Sequence, residues 1–176
     1  MHRWPLFHES RLTRYSALLS TLLLVMCVAC VRQPASTRLY AIGETAEVDG
    51  WRITVHGFQA LPADRYYPPA EAYSLCAVEL TLENASRLIR FMMPEKQMLL
   101  ESDGRAYAPD RNASVMAARL HGWMVPEGEL NLGAKVHGAA SYQIPSASQD
   151  VRWTFRAGLF PWSRSVTFVL GKLPTP

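Results

Sequence analysis

The stretch Cys76-Ala77-Val78-Glu79-Leu80-Thr81-Leu82-Glu83 constrains this chain more than any other. Apolar residues at 76, 78, 80 and 82 alternate with small or polar ones at 77, 79, 81 and 83. A period of two sends the first set to one face of a β-strand and the second set to the other, whereas a helix would scatter the apolar set around its circumference. A strand with one greasy face needs neighbours of the same period. Trp51, Ile53 and Val55 alternate with Arg52, Thr54 and His56 in a second stripe. Val136, Gly138, Ala140, Tyr142 and Ile144 form a third, Val151, Trp153 and Phe155 a fourth, and Val166, Phe168 and Leu170 a fifth. Thr45 to Val48 and Gln97 to Leu100 are shorter candidates.

Turn chemistry separates these runs. Asp49-Gly50 and Asp103-Gly104 are tight-hairpin dipeptides, because glycine accepts the positive φ such turns require. Pro68-Pro69, Pro94, Pro126, Pro145 and Pro161 punctuate the other connections. The best helix candidate is a single turn within Ala113 to Leu120, since no stretch keeps a helical apolar period for three turns. Seven or eight short strands in one domain over residues 40–173 predict an all-β antiparallel sandwich. A chain of 176 residues, 49% apolar and 19% charged, leaves no room for a second domain of ordinary size.

The first thirty residues read as an address. Arg3, Arg11 and Arg14 precede an apolar stretch from Ala17 to Ala29, broken only by Ser20 and Thr21. As a helix this stretch spans about 20 Å, short of a ~30 Å hydrocarbon core, so a secretory signal fits better than a permanent span. Removing this leader takes away three arginines and Glu9 and brings the +3 of the whole chain to +1. Nucleic acid is then a poor partner, because phosphate binding needs a concentrated basic field.

The leader ends in Cys27-Val28-Ala29-Cys30, which resembles the lipobox of bacterial lipoproteins, with Cys27 where that motif usually has Leu. The resemblance implies cleavage after Ala29, a signal peptide of residues 1–29, and a lipid-bearing Cys30 that holds the protein to a membrane. The alternative is an ordinary secretory signal with two incidental apolar cysteines. Residues 30–39 then form a lipidated cysteine and a flexible tether, small and polar with Pro34 and Ser36. Cys76 becomes the one thiol of the mature chain, either a reactive nucleophile or a small core residue. Its place in the apolar stripe favours the core.

A second resemblance rests on Ile42-Gly43-Glu44-Thr45, the stretch Val48 to Val55, Val78-Glu79-Leu80-Thr81-Leu82-Glu83-Asn84, Leu100 to Tyr107 around Asp103-Gly104, and Gly133 to Pro145. Together these resemble a bacterial lipoprotein family with an immunoglobulin-like domain of unassigned function, similar in fold to a mycobacterial secreted immunoprotective antigen. The resemblance implies an immunoglobulin-like β-sandwich and an envelope location: the extracellular face of the membrane, or the periplasm and outer membrane where one exists. It implies no catalytic residues. Extra residues around Arg119 to Leu132 depart from the family pattern.

No serine elbow, phosphate-cradling loop or calcium loop is present, and no histidine pair has metal-ligand spacing on a helix. His56 and His137 fall on outward parity, which predicts solvated positions rather than a shared metal site. No cofactor or metal is expected, and no enzyme activity. The remaining signal is aromatic residues in loops: Tyr66 and Tyr67, Trp123, and Phe160 with Trp162. Such rings offer rigid contact area at low entropic cost, or else fold back to plug the open ends of the sandwich. The expected function is a lipid-anchored binding or interaction role with an unknown envelope or extracellular partner. The alternatives are a structural subunit of an envelope complex and, less favoured, an enzyme. Counting reversals of the chain from Thr45 brings Trp123 near Phe160 and Trp162, at the end facing away from the tether.

Overall fold

A computed structural model of the protein describes residues 38–63, 67–124 and 126–174. The stretch expected to be a signal peptide, Cys30 and Tyr66 lie outside the described residues. The described elements follow in the order β1 (Leu39–Ala41), β2 (Thr45–Val48), β3 (Trp51–Ala60), β4 (Tyr73–Asn84), β5 (Arg90–Met92), α1 (Pro94–Gln97), β6 (Met98–Ser102), β7 (Arg105–Tyr107), α2 (Arg111–His121), β8 (Gly128–Leu130), β9 (Lys135–Pro145), β10 (Val151–Arg156) and β11 (Ser165–Gly171). Five strands in the order β1-β11-β10-β6-β7 form one sheet and four in the order β2-β3-β4-β9 form the other. β5 and β8 make a separate ribbon. The expected all-β sandwich is therefore the fold. It has more strands than the seven or eight expected, because three-residue strands such as β1, β5 and β8 are too short to show a period.

The five alternating stripes supply the core. Ile53, Val55, Cys76, Val78, Leu80, Leu82, Tyr142, Ile144, Trp153, Phe155 and Phe168 are all fully buried. Two hydrogen bonds tie the sheets together through this core: Trp153 Nε1 donates to the Tyr142 hydroxyl at 2.7 Å, and Trp51 Nε1 donates to the Ala157 carbonyl at 3.0 Å. Each indole thus buries its ring without an unpaired N–H. Both Asp-Gly turns adopt the positive φ pair of a tight hairpin, 45° and 78° at Asp49-Gly50 and 51° and 74° at Asp103-Gly104. In β3 the register shifts between Val55 and Gly57, so one extra residue, His56, bulges outward and Phe58 turns back to the core.

The helix α2 corrects the single turn expected. It runs for eleven residues, with the Asp110 side chain accepting from the Ala113 N–H at its start and Gly122 at φ 71° beyond its end. Its buried residues are Ala113, Ser114 and Ala117. They pack on Leu61, Leu75, Ala77 and Ala139, on the outer face of the β4–β9 pair. Half of the face that alternation assigns to solvent is therefore covered. The small side chains on both partners let the helix approach closely, and for the same reason they produce no strong apolar period.

The ends of the sandwich differ. At one end, here the Asp49 end, the β2–β3 turn meets the β10–β11 loop, with Arg164 paired to Asp49 at 3.2 Å. Residues 85–92 and 131–134 join it there through Asn84. The chain also enters from this side. β1 runs parallel to β11 with Leu39 opposite Thr167, two residues past the start of β11 at Ser165. Stepping back from Leu39 therefore leads toward the β10–β11 loop. This overturns the strand count begun at Thr45, which set that loop at the end away from the tether. The count failed because β1, which starts at Leu39 inside the stretch read as tether, adds one more reversal.

Candidate functional site

Asn84 builds the Asp49 end. It is fully buried, and its amide donates to the carbonyls of Leu88 at 2.7 Å and Leu130 at 2.9 Å. Its side-chain oxygen accepts from the Ser86 N–H at 3.1 Å and the Ser86 hydroxyl at 2.7 Å. Its own backbone exchanges bonds with Ala134 and Gly133. One residue at the end of β4 thus fixes two loops and satisfies every polar atom it buries. Gly50 lets these loops close up, since a Cβ there would lie 2.7 Å from the Ser86 Cβ. Arg90 lies over the Trp51 ring at 5.4 Å.

On this framework sit apolar side chains with nothing over them. Phe160 and Trp162 stack, with ring centroids 5.0 Å apart and planes 8° from parallel, and are 60% and 81% exposed. Leu88, Ile89, Phe91, Leu132 and Leu159 are exposed at the same end. Two rings this exposed, stacked on each other, do not plug the core. Exposed apolar clusters of this kind mark interaction surfaces.

Tyr67 and Trp123 are placed elsewhere. Both are half-buried against the cluster under α2. The Tyr67 hydroxyl donates to Asp110 Oδ2 at 2.6 Å, so it braces the residue that caps the helix. That bond, with burial and the negative charge of Asp110 adding to it, holds the phenol above its usual range. Trp123 stacks on His121 at 4.4 Å. Beyond it, Met124 lies along the open edge of β9, where its carbonyl accepts from the Ala139 N–H at 3.2 Å. The expected meeting of Trp123 with Phe160 and Trp162 does not occur. The residues form two groups, Tyr67 with Trp123 beside the helix and Phe160 with Trp162 at the Asp49 end.

Sequence reasoning missed a polar group on the uncovered half of the β3–β4–β9 face. His56 and His137 have ring centroids 5.3 Å apart, and both bond to the Thr81 hydroxyl, at 2.8 and 3.2 Å. Glu79 lies 3.2 Å from His137. Both histidines are exposed, as their parity predicts, but the bulge at His56 turns the two rings toward a common partner. Among the described residues no group of three or more such side chains has the arrangement of a metal site. Closer to the Asp49 end the same face carries a ladder of charge, Glu47–Arg52–Glu83–Lys135, with separations of 2.9 to 3.2 Å. Cys76 faces the core, where burial pushes its thiol up to about 12. A thiol held protonated is a packing residue and a poor nucleophile.

These features define a class: a β-sandwich domain with exposed apolar side chains at one loop end. The chain belongs to a family whose shared feature is a domain of unknown function (DUF4352), matched over residues 40–165. Its fold is similar to three solved bacterial structures. One is ycdA of Bacillus subtilis, a candidate lipoprotein, at TM-score 0.58 and 10% identity over 72% of this chain and 38% of that one. Another is the yjhA protein of Bacillus subtilis, at TM-score 0.54 and 17% identity over 77% of this chain and all of that one. The third is a functionally unknown protein of Listeria monocytogenes, at TM-score 0.53 and 8% identity over 78% and 86%. The chain thus spans well under half the length of ycdA. No curated protein matches it. At these identities the likeness concerns the fold alone. Among the described residues no helix is long and apolar enough to cross a membrane.

Proposed function

We propose that this is a lipid-anchored protein of the bacterial envelope, held by an acylated Cys30, with a non-catalytic binding role carried by the Asp49 end. The observation behind this reading is the stacked, solvent-facing Phe160–Trp162 pair among exposed Leu88, Ile89 and Phe91. A few clustered aromatic residues can carry most of the affinity of an interface. The likeness to a candidate lipoprotein supports the anchored, envelope setting, and similarity to the mycobacterial secreted antigen belongs to the same reading. A purely structural subunit would present a broad apolar sheet face. Here the outer faces carry Arg52, Thr54 and Glu83 on one sheet and Glu101, Arg152 and Thr167 on the other.

The anchor is tested by growing cells with labelled fatty acid. The wild type takes up label and Cys30→Ala does not, whereas equal label in both rejects the anchor. The surface is tested by placing a photo-crosslinking residue at position 162 in the living envelope. Adducts form there, and an equivalent probe at Val169, on an outer sheet face, gives none. Adduct formation that is the same at both positions defeats the assignment of this end.

A further inference from the structure

We propose that the Asp49 end rests on the lipid surface itself: its exposed aromatic loop enters the interfacial layer of the membrane that holds Cys30. This deepens the reading above and rests on its lipid anchor.

The first support is where the chain enters the domain. β1 is parallel to β11, and its first residue lies two positions past the start of β11, which follows the loop carrying Phe160 and Trp162. Only seven residues, eight Cα-to-Cα steps, separate Cys30 from Arg38, the first described residue. Fully extended they reach at most ~28 Å. The sandwich is longer than that, since β4 alone has twelve residues and spans ~40 Å at 3.3 Å each. A tether this short, entering from this side, keeps the Asp49 end nearer the anchored lipid than the opposite end.

The second support is chemical. Trp at 81% exposure stacked on Phe at 60%, with Leu88 and Ile89 alongside, is the residue mix that partitions into the layer between headgroups and acyl chains. In the adjoining segment, Arg87, Arg90 and Lys96 outnumber the one acidic residue, Glu95, and so favour anionic headgroups. The geometry also limits insertion to the loop tips. Arg164 and Asp49 pair at the loop's base and set the depth at which charge meets the headgroups.

The test uses the full-length protein made in cells, purified with its lipid, confirmed by intact mass, and reconstituted into vesicles of phosphatidylethanolamine and phosphatidylglycerol. Half of the preparations carry brominated acyl chains, which quench indole fluorescence only at contact range. Trp51 and Trp153 are buried and Trp123 lies beside the helix, so Trp162 is the ring placed to respond. Brominated vesicles quench the wild type, and Trp162→Phe loses most of that quenching while staying lipidated and vesicle-bound. Lipidated, vesicle-bound protein whose quenching is the same with and without Trp162 overturns the inference and leaves the anchor standing. A wild type that is not quenched by brominated vesicles and that crosslinks copy to copy at position 162 overturns it in favour of self-association. A mass without lipid overturns the anchor and this inference with it.

Discussion

Trp123 and Trp162 are the same residue in two regions with opposite solutions. Beside α2, the chain covers apolar surface: Trp123 and Tyr67 are packed into a cluster of alanines and leucines, and Met124 seals the edge of β9. At the Asp49 end, the chain builds a hydrogen-bonded frame around Asn84 and leaves Phe160 and Trp162 uncovered on top of it. The frame below contributes to folding, whereas the rings above cost solubility and bury little in the fold. The difference separates aromatic residues that pack into the fold from those that stay in solvent.

Substitutions sharpen this contrast, and the buried Cys76 thiol reports them all, because it reacts only when the core opens. Gly138→Val carries the largest effect. Any Cβ at 138 overlaps the Met124 carbonyl, so the edge segment must leave β9 and draw Trp123 with it. A loss of ~3 kcal/mol is expected, read as a lower denaturation midpoint and faster alkylation of Cys76. Wild-type stability in this variant would mean that the edge segment contributes little and that the helix region is not the packed one. Asn84→Ala comes next. It strands the buried Leu130 carbonyl and releases Ser86, for a loss of ~2 kcal/mol. Protease cleavage should rise within residues 85–92 and not near α2. Cleavage at both sites would show that the two regions are not independent.

Trp123→Ala removes a half-buried ring and should cost ~1 kcal/mol. The smallest effect belongs to the most conspicuous residues. Phe160→Ser with Trp162→Ser should shift stability by no more than ~0.5 kcal/mol, because these rings leave water for no part of the fold. Urea denaturation of the pair against Trp123→Ala ranks them directly. A larger loss from the double variant than from Trp123→Ala would invert the comparison and make the Asp49 end part of the core.

The strands were legible because each long one has a stretch covered on one face only, so burial leaves its period in the letters. Trp51, Cys76, Tyr142 and Trp153 all lie where their parity put them. α2 was not, since alanines at 113 and 117 packed on Ala77 and Ala139 carry too little hydrophobic contrast to reveal a helix. Its ends were readable in hindsight, with Asp110 and Gly122 at capping positions. Phe160 and Trp162 stood out as loop aromatics, but their neighbours could not be named, because turns and three-residue strands set which loops meet. The His56–His137 pair depended on a bulge, which shifts register without any mark in the pattern.

The parallel pairing of β1 with β11 also has a mechanical meaning. In the proposed anchored form, the tether transmits any drag on the domain to Leu39 first. Because β1 lies alongside β11 and is pulled along its own length, its hydrogen bonds are loaded together in shear and do not open one at a time. Yet it is three residues long, so it would yield before β2, β3 and the core. Under tension the protein would lengthen its leash by one strand and lift away from the surface while its sandwich stayed folded.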